Sequence, residues 1–278
     1  MIDAKKIFKA AVIQMNSGFD LESNMQQCDV LIGQAVADGA KLVVLPENFS
    51  LFSAIDFHAL AMDDHRQKYL LEFLAKQAQQ HQIWLIAGTI PVIASVKGKV
   101  FSSCKVFSPN GIIVSSYNKI HLFDVDVADD VKSYRESEAV QAGNQWEIVD
   151  MDGVRVGLAV CYDLRFPELF RAMSKQGCDL IVLPSAFTYV TGQMHWEPLI
   201  RARAIENQCY VLAADQTGVH IGRTGNRRET YGHSMVVDYQ GKIINVLPEG
   251  PGVVVAEIDL QQQSKIRKEM PVLEHRKL

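Results

Sequence analysis

Three residues of chemically active type stand just beyond short apolar runs of the chain. Glu47 follows LVVLP (42–46), Lys119 follows IIVSSYN (112–118) and Cys161 follows GLAV (157–160). The runs ahead of Glu47 and Cys161 read as buried strands, the one ahead of Lys119 as an arm of a hairpin, and open α/β sheets present their ligand sites beyond the carboxyl ends of strands. A thiol is a weak nucleophile until it loses its proton, its free pKa being about 8.5. A neighbouring carboxylate could take that proton as general base. An ammonium kept charged between carboxylates could stabilise the oxyanion formed when the thiolate attacks a carbonyl or nitrile carbon. The backbone N–H of Tyr162 would serve the same end if the turn after Cys161 points it inward.

Taken singly, each residue has a plainer reading. Cys161 alone reads as inert packing, Glu47 as a cap or turn residue, Lys119 as part of a solvated face. Their common placement at strand ends is what argues for one site. A Cys–His hydrolase is the rival, with His195, His220 and His233 downstream of the thiol, but neither a papain-like nor a caspase-like signature is present. His195 reads as a helix-start residue, and His233 as a structural hydrogen-bonder entering a strand.

The elements that must position these residues follow a repeated order. FKAAVIQ (8–14) reads as a strand. Ser23 and Gln26 form a capping-box signature ahead of a helix that Gly39 stops. KLVVLP (41–46) is the second strand, the periodicity of residues 70–78 marks a helix, and IWLIAG (83–88) is the third strand. Later come strand 154–160, helix 167–176 with Pro at its first turn, strand 179–184, a helix over roughly 195–207 and strand 210–214. GAKLVVLPENF (39–49) and GCDLIVLPSAF (177–187) align in register, which points to duplication. Hairpins are expected at Asn110-Gly111, at Asp152-Gly153 and within 234–247. Two such half-units predict two sheets packed face to face with helices outside, in one α/β sandwich domain.

The chain has 278 residues, 48% hydrophobic and 22% charged, with a net charge of −4. That is a globular composition without an electrostatic footprint for nucleic acid or a membrane surface. No apolar run approaches the roughly 20 residues of a membrane span, and the N-terminal stretch does not read as a signal peptide. Five cysteines without a CxxC pair argue against a disulfide framework or a zinc site, and for a reducing cytoplasm.

With LVVLPENF, YNKIHLFD and LAVCYDLRFPELFR in this order, the sequence resembles the nitrilase superfamily of carbon–nitrogen hydrolases, from AAVIQM near the start to MPVLEHR near the end. The resemblance implies a single carbon–nitrogen hydrolase domain over residues 1–278. Its fold would be α/β, a four-layer αββα sandwich with two mixed sheets, assembled as a homodimer or a larger homo-oligomer. It also implies a Glu47–Lys119–Cys161 triad that forms a thioester, with no metal or organic cofactor. A second glutamate is expected in YRESEAVQAG, where Glu136 is the better fit and Glu138 the fallback.

The stretch 184–211, RETYGHSMVVD and the C-terminal block resemble most the branch that includes deaminated glutathione amidases. The implied reaction is hydrolysis of a primary amide of a small carboxylate-bearing metabolite to carboxylate and ammonia, with deaminated glutathione as the leading substrate. The alternatives are an omega-amidase or carbamoyl-amide hydrolase, and a catalytically silent binding protein of the same fold. Phe187 and Thr191 would line the pocket. Met194 stands where Ala is commoner, which bears on pocket size. Arg165 reads equally as a bidentate carboxylate ligand and as a salt bridge to Asp163 or Glu168. Arg223, Arg227 and Arg228 form a basic loop, by default solvated surface and otherwise a lid over the site.

Overall fold

The structure, a computed structural model, describes residues 7–222, 225 and 227–277. The first half-unit runs β1 (Phe8–Gln14), α1 (Leu21–Ala37), β2 (Ala40–Val44), α2 (Ala54–Ala61), α3 (Asp64–His81) and β3 (Trp84–Ile86). It continues through β4 (Ile90–Ile93), β5 (Val100–Phe107) and β6 (Ile113–Asn118). A short hairpin, β7 (Asp124–Asp126) and β8 (Ser133–Arg135), leads through a 3-10 turn at Glu136–Glu138 to β9 (Glu147–Met151) and β10 (Val154–Leu158). After a second 3-10 turn, Cys161–Arg165, come α4 (Pro167–Lys175), β11 (Leu180–Ser185), α5 (Tyr189–Asn207) and β12 (Tyr210–Asp215). The chain closes with β13 (Thr217–Ile221), β14 (Arg227–Tyr231), β15 (Ser234–Val237), β16 (Ile243–Leu247), β17 (Gly252–Ile258) and α6 (Leu260–Glu269).

Two sheets form the centre. The first has the order β17-β1-β2-β3-β5-β4, with β6 also paired to β5; the second is β16-β15-β12-β11-β10-β9. Both are mixed. The β1–β2–β3 and β10–β11–β12 steps are parallel, and their flanks are antiparallel. The duplicated LVVLP and LIVLP segments are β2 and β11, one in each sheet.

Alternation along β1 shows how the layers are made. Ala10 and Val12 join a core cluster shared with Val156, Leu158 and Ala213 of the opposite sheet. Ala11 and Ile13 face the other way, against Cys28, Leu31 and Ile32 of α1, in a cluster that also holds Leu70 and Leu74 of α3. On the far side of the second sheet, Phe170 and Met173 of α4 and Trp196 and Ile200 of α5 complete the larger cluster. The arrangement is the expected αββα sandwich.

Local differences from the sequence reading have simple causes. α1 starts at Leu21, because Asp20 is its N-cap and accepts the Ser23 N–H at 2.8 Å; Ser23 and Gln26 are not the capping box. α5 starts at Tyr189, so His195 lies inside the helix rather than at its start. Gly192, inside this helix, makes room for Tyr231: a Cβ there would meet that ring at 2.3 Å. β17, which pairs antiparallel along the whole of β1, was not foreseen, nor were the β7–β8 and β13–β14 hairpins. Among the described residues no helix is long and apolar enough to cross a membrane.

Candidate active site

Each of the three chemical residues follows a strand end, held by a different local device. Glu47 lies beyond β2, and its carbonyl accepts the Gln216 side-chain amide at 3.0 Å. Lys119 lies directly beyond β6. Its N–H donates to the Ser102 carbonyl at 3.0 Å and its carbonyl accepts the Gly143 N–H at 2.8 Å. A Cβ on Gly143 would stand 2.1 Å from the Asn118 carbonyl oxygen, so only glycine permits this approach.

Cys161 answers to backbone geometry. β10 ends at Leu158, the Ala159 N–H still pairs with Val182 O at 3.1 Å, and Cys161 then takes φ +47°. A non-glycine residue in the left-handed region marks a constrained turn. The turn starts the 3-10 helix, and the first N–H groups of a helix have no partner within it. Asp163 N–H finds Val160 O at 3.0 Å, whereas the Tyr162 N–H has no protein acceptor among the described residues. A free N–H next to the thiol is the donor that an oxyanion needs.

The side chains converge on one cavity of about 560 Å³, lined by Glu47, Lys119, Glu136 and Cys161 among others. Lys119 Nζ lies 2.8 Å from Glu47 Oε1 and 2.9 and 3.0 Å from the two Glu136 oxygens. Glu136 Oε2 also accepts the Phe123 N–H at 2.7 Å. Cys161 is only 6% exposed, yet its exposed part opens into this cavity.

The electrostatics follow from burial and mutual contact. Burial alone disfavours the Lys119 ammonium, but Glu136 and Glu47, with Cys161 adding, hold its pKa well above the ordinary lysine value. Burial, then the Glu47 carboxylate, push the Cys161 thiol well above its usual range, while Lys119 and the Ala186 N–H at the sulfur pull it down. Burial, opposed by Lys119 and reinforced by Glu47, raises Glu136. At rest the site therefore holds a neutral thiol beside a permanently charged ammonium, and a proton acceptor must act as the sulfur attacks.

The family model for carbon–nitrogen hydrolases matches residues 9–268. The chain belongs to the carbon–nitrogen hydrolase family. A deaminated glutathione amidase from Synechocystis is 42% identical over 275 residues, 98% of each chain. The crystal structure of the C. elegans NitFhit protein superposes with a TM-score of 0.89 at 38% identity; it covers 100% of this chain, which spans 66% of that protein. Saccharomyces cerevisiae Nit3, described as a member of branch 10 of the nitrilase superfamily, superposes with a TM-score of 0.85 at 30% identity, covering 98% of this chain and 97% of that one.

In this carbon–nitrogen hydrolase the choice between two glutamates is made by position: Glu136 grips Lys119, and Glu138 is exposed. Phe187 and Thr191 line the cavity. Met194 is 58% exposed and is not among the lining residues, so it does not set the pocket's size. Arg165 is not itself among the lining residues but packs behind two that are, Phe187 and Tyr162. It lies against the Phe187 and Tyr162 rings at 5.2 and 5.8 Å, 3.2 Å from His195 Nδ1. Neither expected salt bridge forms, since the Asp163 carboxylate is enclosed by other donors. Of the basic loop, Arg223 lies outside the described residues and Arg227 is exposed. Arg228 is not solvated surface, because it lines the cavity.

No histidine hydrogen-bonds the Cys161 sulfur among the described residues. His220 spans Ser17 O at 2.8 Å and Thr230 Oγ1 at 2.7 Å, and His233 lies 3.0 Å from Tyr231 O. Among the described residues no group of three or more His, Cys, Asp and Glu side chains is disposed to hold a metal ion.

Asp163 is the residue that sequence reasoning missed. Fully buried, it accepts the Tyr117 hydroxyl at 2.7 Å, the Val160 N–H at 2.8 Å, His121 Nδ1 at 2.7 Å and the His121 N–H at 3.2 Å. It thereby ties the turn bearing Cys161 to the segment bearing Lys119. The only signal in the sequence was an acidic residue two positions after the thiol.

Proposed function

We propose that this carbon–nitrogen hydrolase is a thiol-dependent amidase acting on deaminated glutathione, with Cys161 as nucleophile. The observation that carries the reading is the Lys119 ammonium clamped between Glu47 and Glu136 beside the Cys161 sulfur, at the wall of a cavity of small-molecule size.

In the proposed cycle Glu47 takes the thiol proton as sulfur bonds to the amide carbon. The Lys119 ammonium and the Tyr162 N–H donate to the oxyanion. Glu47 returns the proton to the amide nitrogen, the C–N bond breaks, and the amine leaves. Water then attacks the thioester while Glu47 accepts its proton; the S–C bond breaks as Glu47 passes that proton to sulfur, and the Cys161 thiol and the acid product, which ionises to carboxylate in water, are released. Glu136 holds Lys119 in place throughout.

Deaminated glutathione carries a 2-oxoglutaryl group in a secondary amide, so the expected co-product is cysteinylglycine. The primary amide and the ammonia expected from the sequence are corrected accordingly: they belong to the alternative substrates. The relatives named deaminated glutathione amidase support the substrate. We further infer a single hydrolase domain over 1–278, which the span of the family match supports. We infer a homodimer on the family resemblance, and a reducing cytoplasm, supported by five free, buried cysteines.

The test is release of cysteinylglycine from deaminated glutathione by the wild type and by Cys161→Ala, with mass analysis of the Cys161 peptide. The variant should lose about 10⁴-fold or more in turnover, and the wild type should carry the 2-oxoglutaryl thioester. Undiminished release by Cys161→Ala would overturn the reading.

A further inference from the structure

We propose that Arg228 binds a carboxylate of the substrate in this cavity. The identity of the substrate rests on the amidase reading; the binding of a carboxylate does not. β14 alternates in exposure: Arg227 and Glu229 face outward, Thr230 is buried and Arg228 is half-buried. The strand thus delivers Arg228 to the cavity wall.

Its guanidinium is held on two aromatic faces, 4.9 Å from the Phe52 ring centroid and 5.3 Å from that of Tyr134. Nη2 donates to the Ala186 carbonyl at 2.8 Å, and Ala186 lines the same cavity as Cys161. The guanidinium is thereby anchored to the wall that also carries the nucleophile. Nε is buried with no acceptor, an arrangement that costs free energy until an acceptor arrives.

The other cations on the cavity wall are already matched. Lys119 sits between two carboxylates and Arg135 pairs with Asp126 at 2.8 Å. Arg228 makes no salt bridge among the described residues. The buried Asp215 carboxyl feels the charge of Arg228 but makes no salt bridge with it, and an aromatic-braced guanidinium with a free donor and no carboxylate at ion-pair distance fits a planar carboxylate.

The experiment compares two alkylating agents of nearly equal size and opposite design: iodoacetate, an anion, and iodoacetamide, which is neutral. Both modify thiols at the same carbon. Cys28, Cys104, Cys178 and Cys209 are buried to 1% exposure or less, so modification of the native protein is read at the Cys161 peptide. The ratio of the iodoacetate rate to the iodoacetamide rate should fall tenfold or more in Arg228→Gln and less in Arg228→Lys. A ratio equal within twofold in wild type and Arg228→Gln would overturn the proposal.

Glutarate supplies a second measurement that needs no chemistry at sulfur. It should raise the melting temperature of the wild type, and that rise should vanish in Arg228→Gln. An equal rise in both proteins, or none in either, would count against the site. Failure of the amidase reading would appear separately, as intact carboxylate discrimination with no turnover of any amide.

Discussion

Replacing Asp163 by Asn changes one atom, and the structure sets the size of the effect. Four donors converge on the carboxylate, two on each oxygen: Tyr117 hydroxyl and Val160 N–H on Oδ2, His121 Nδ1 and His121 N–H on Oδ1. An amide offers one oxygen and one NH₂. Whichever way it is turned, one backbone N–H, of Val160 or of His121, faces a second donor and cannot rotate away. In a fully buried site such an orphaned donor costs about 1–3 kcal/mol, and the surviving contacts lose the strength that a charged acceptor gives. We expect Asp163→Asn to be destabilised by about 3–5 kcal/mol in urea unfolding. Tyr117→Phe leaves the carboxylate matched to the other three donors but takes away the acceptor of the Ile120 N–H at 3.3 Å, so it should lose about 1–2 kcal/mol, less than Asp163→Asn. Because Val160 precedes Cys161 and His121 lies two residues beyond Lys119, kcat for deaminated glutathione should fall in Asp163→Asn while KM changes little. An Asp163→Asn protein within 1 kcal/mol of wild type and with unchanged kcat would refute the argument.

Two further outcomes follow from geometry and burial. Gly143→Ala forces a Cβ against the Asn118 carbonyl and displaces the strand end that carries Lys119. It should cost about 2–4 kcal/mol in stability and lower kcat, both measurable on the purified variant. Burial, partly offset by the Ser17 carbonyl and reinforced by Arg228, lowers His220 to about 4 from 6.5. Between those values the unfolded chain binds a proton that the folded chain does not, so stability drops on acidification from pH 6.5 to 4, by about 3 kcal/mol. Urea unfolding across that range should show a flatter dependence in His220→Gln; equal slopes would dismiss the assignment.

Much of this molecule is local information. Glu47 and Cys161 were legible because each follows an apolar run, and buried strands must end where the chain turns polar; Lys119 was legible as the residue after a hairpin strand, β6, that is largely exposed. The two-sheet sandwich was legible because both half-units repeat one strand–helix order around LVVLP and LIVLP. The basic loop and Arg165 were read less well, since nothing in a linear sequence says which of several nearby arginines a strand turns inward. The first turns of α5 were missed, and Gly192 within them is matched to the Tyr231 ring, a contact that only the fold reveals.

By itself, then, the sequence determined the repeated strand–helix order of the two half-units, the layer architecture and the three chemical groups, through periodicity and residue type over a few neighbouring positions. Tertiary structure decided which glutamate holds Lys119, that Asp163 locks Cys161 to the Lys119 segment, and that Arg228 rather than Arg165 reaches the cavity. Those outcomes depend on contacts between residues 13 to 72 positions apart, made only when strand ends from both sheets meet. Side-chain direction and burial at such a meeting are properties of the packed molecule, and no local pattern encodes them.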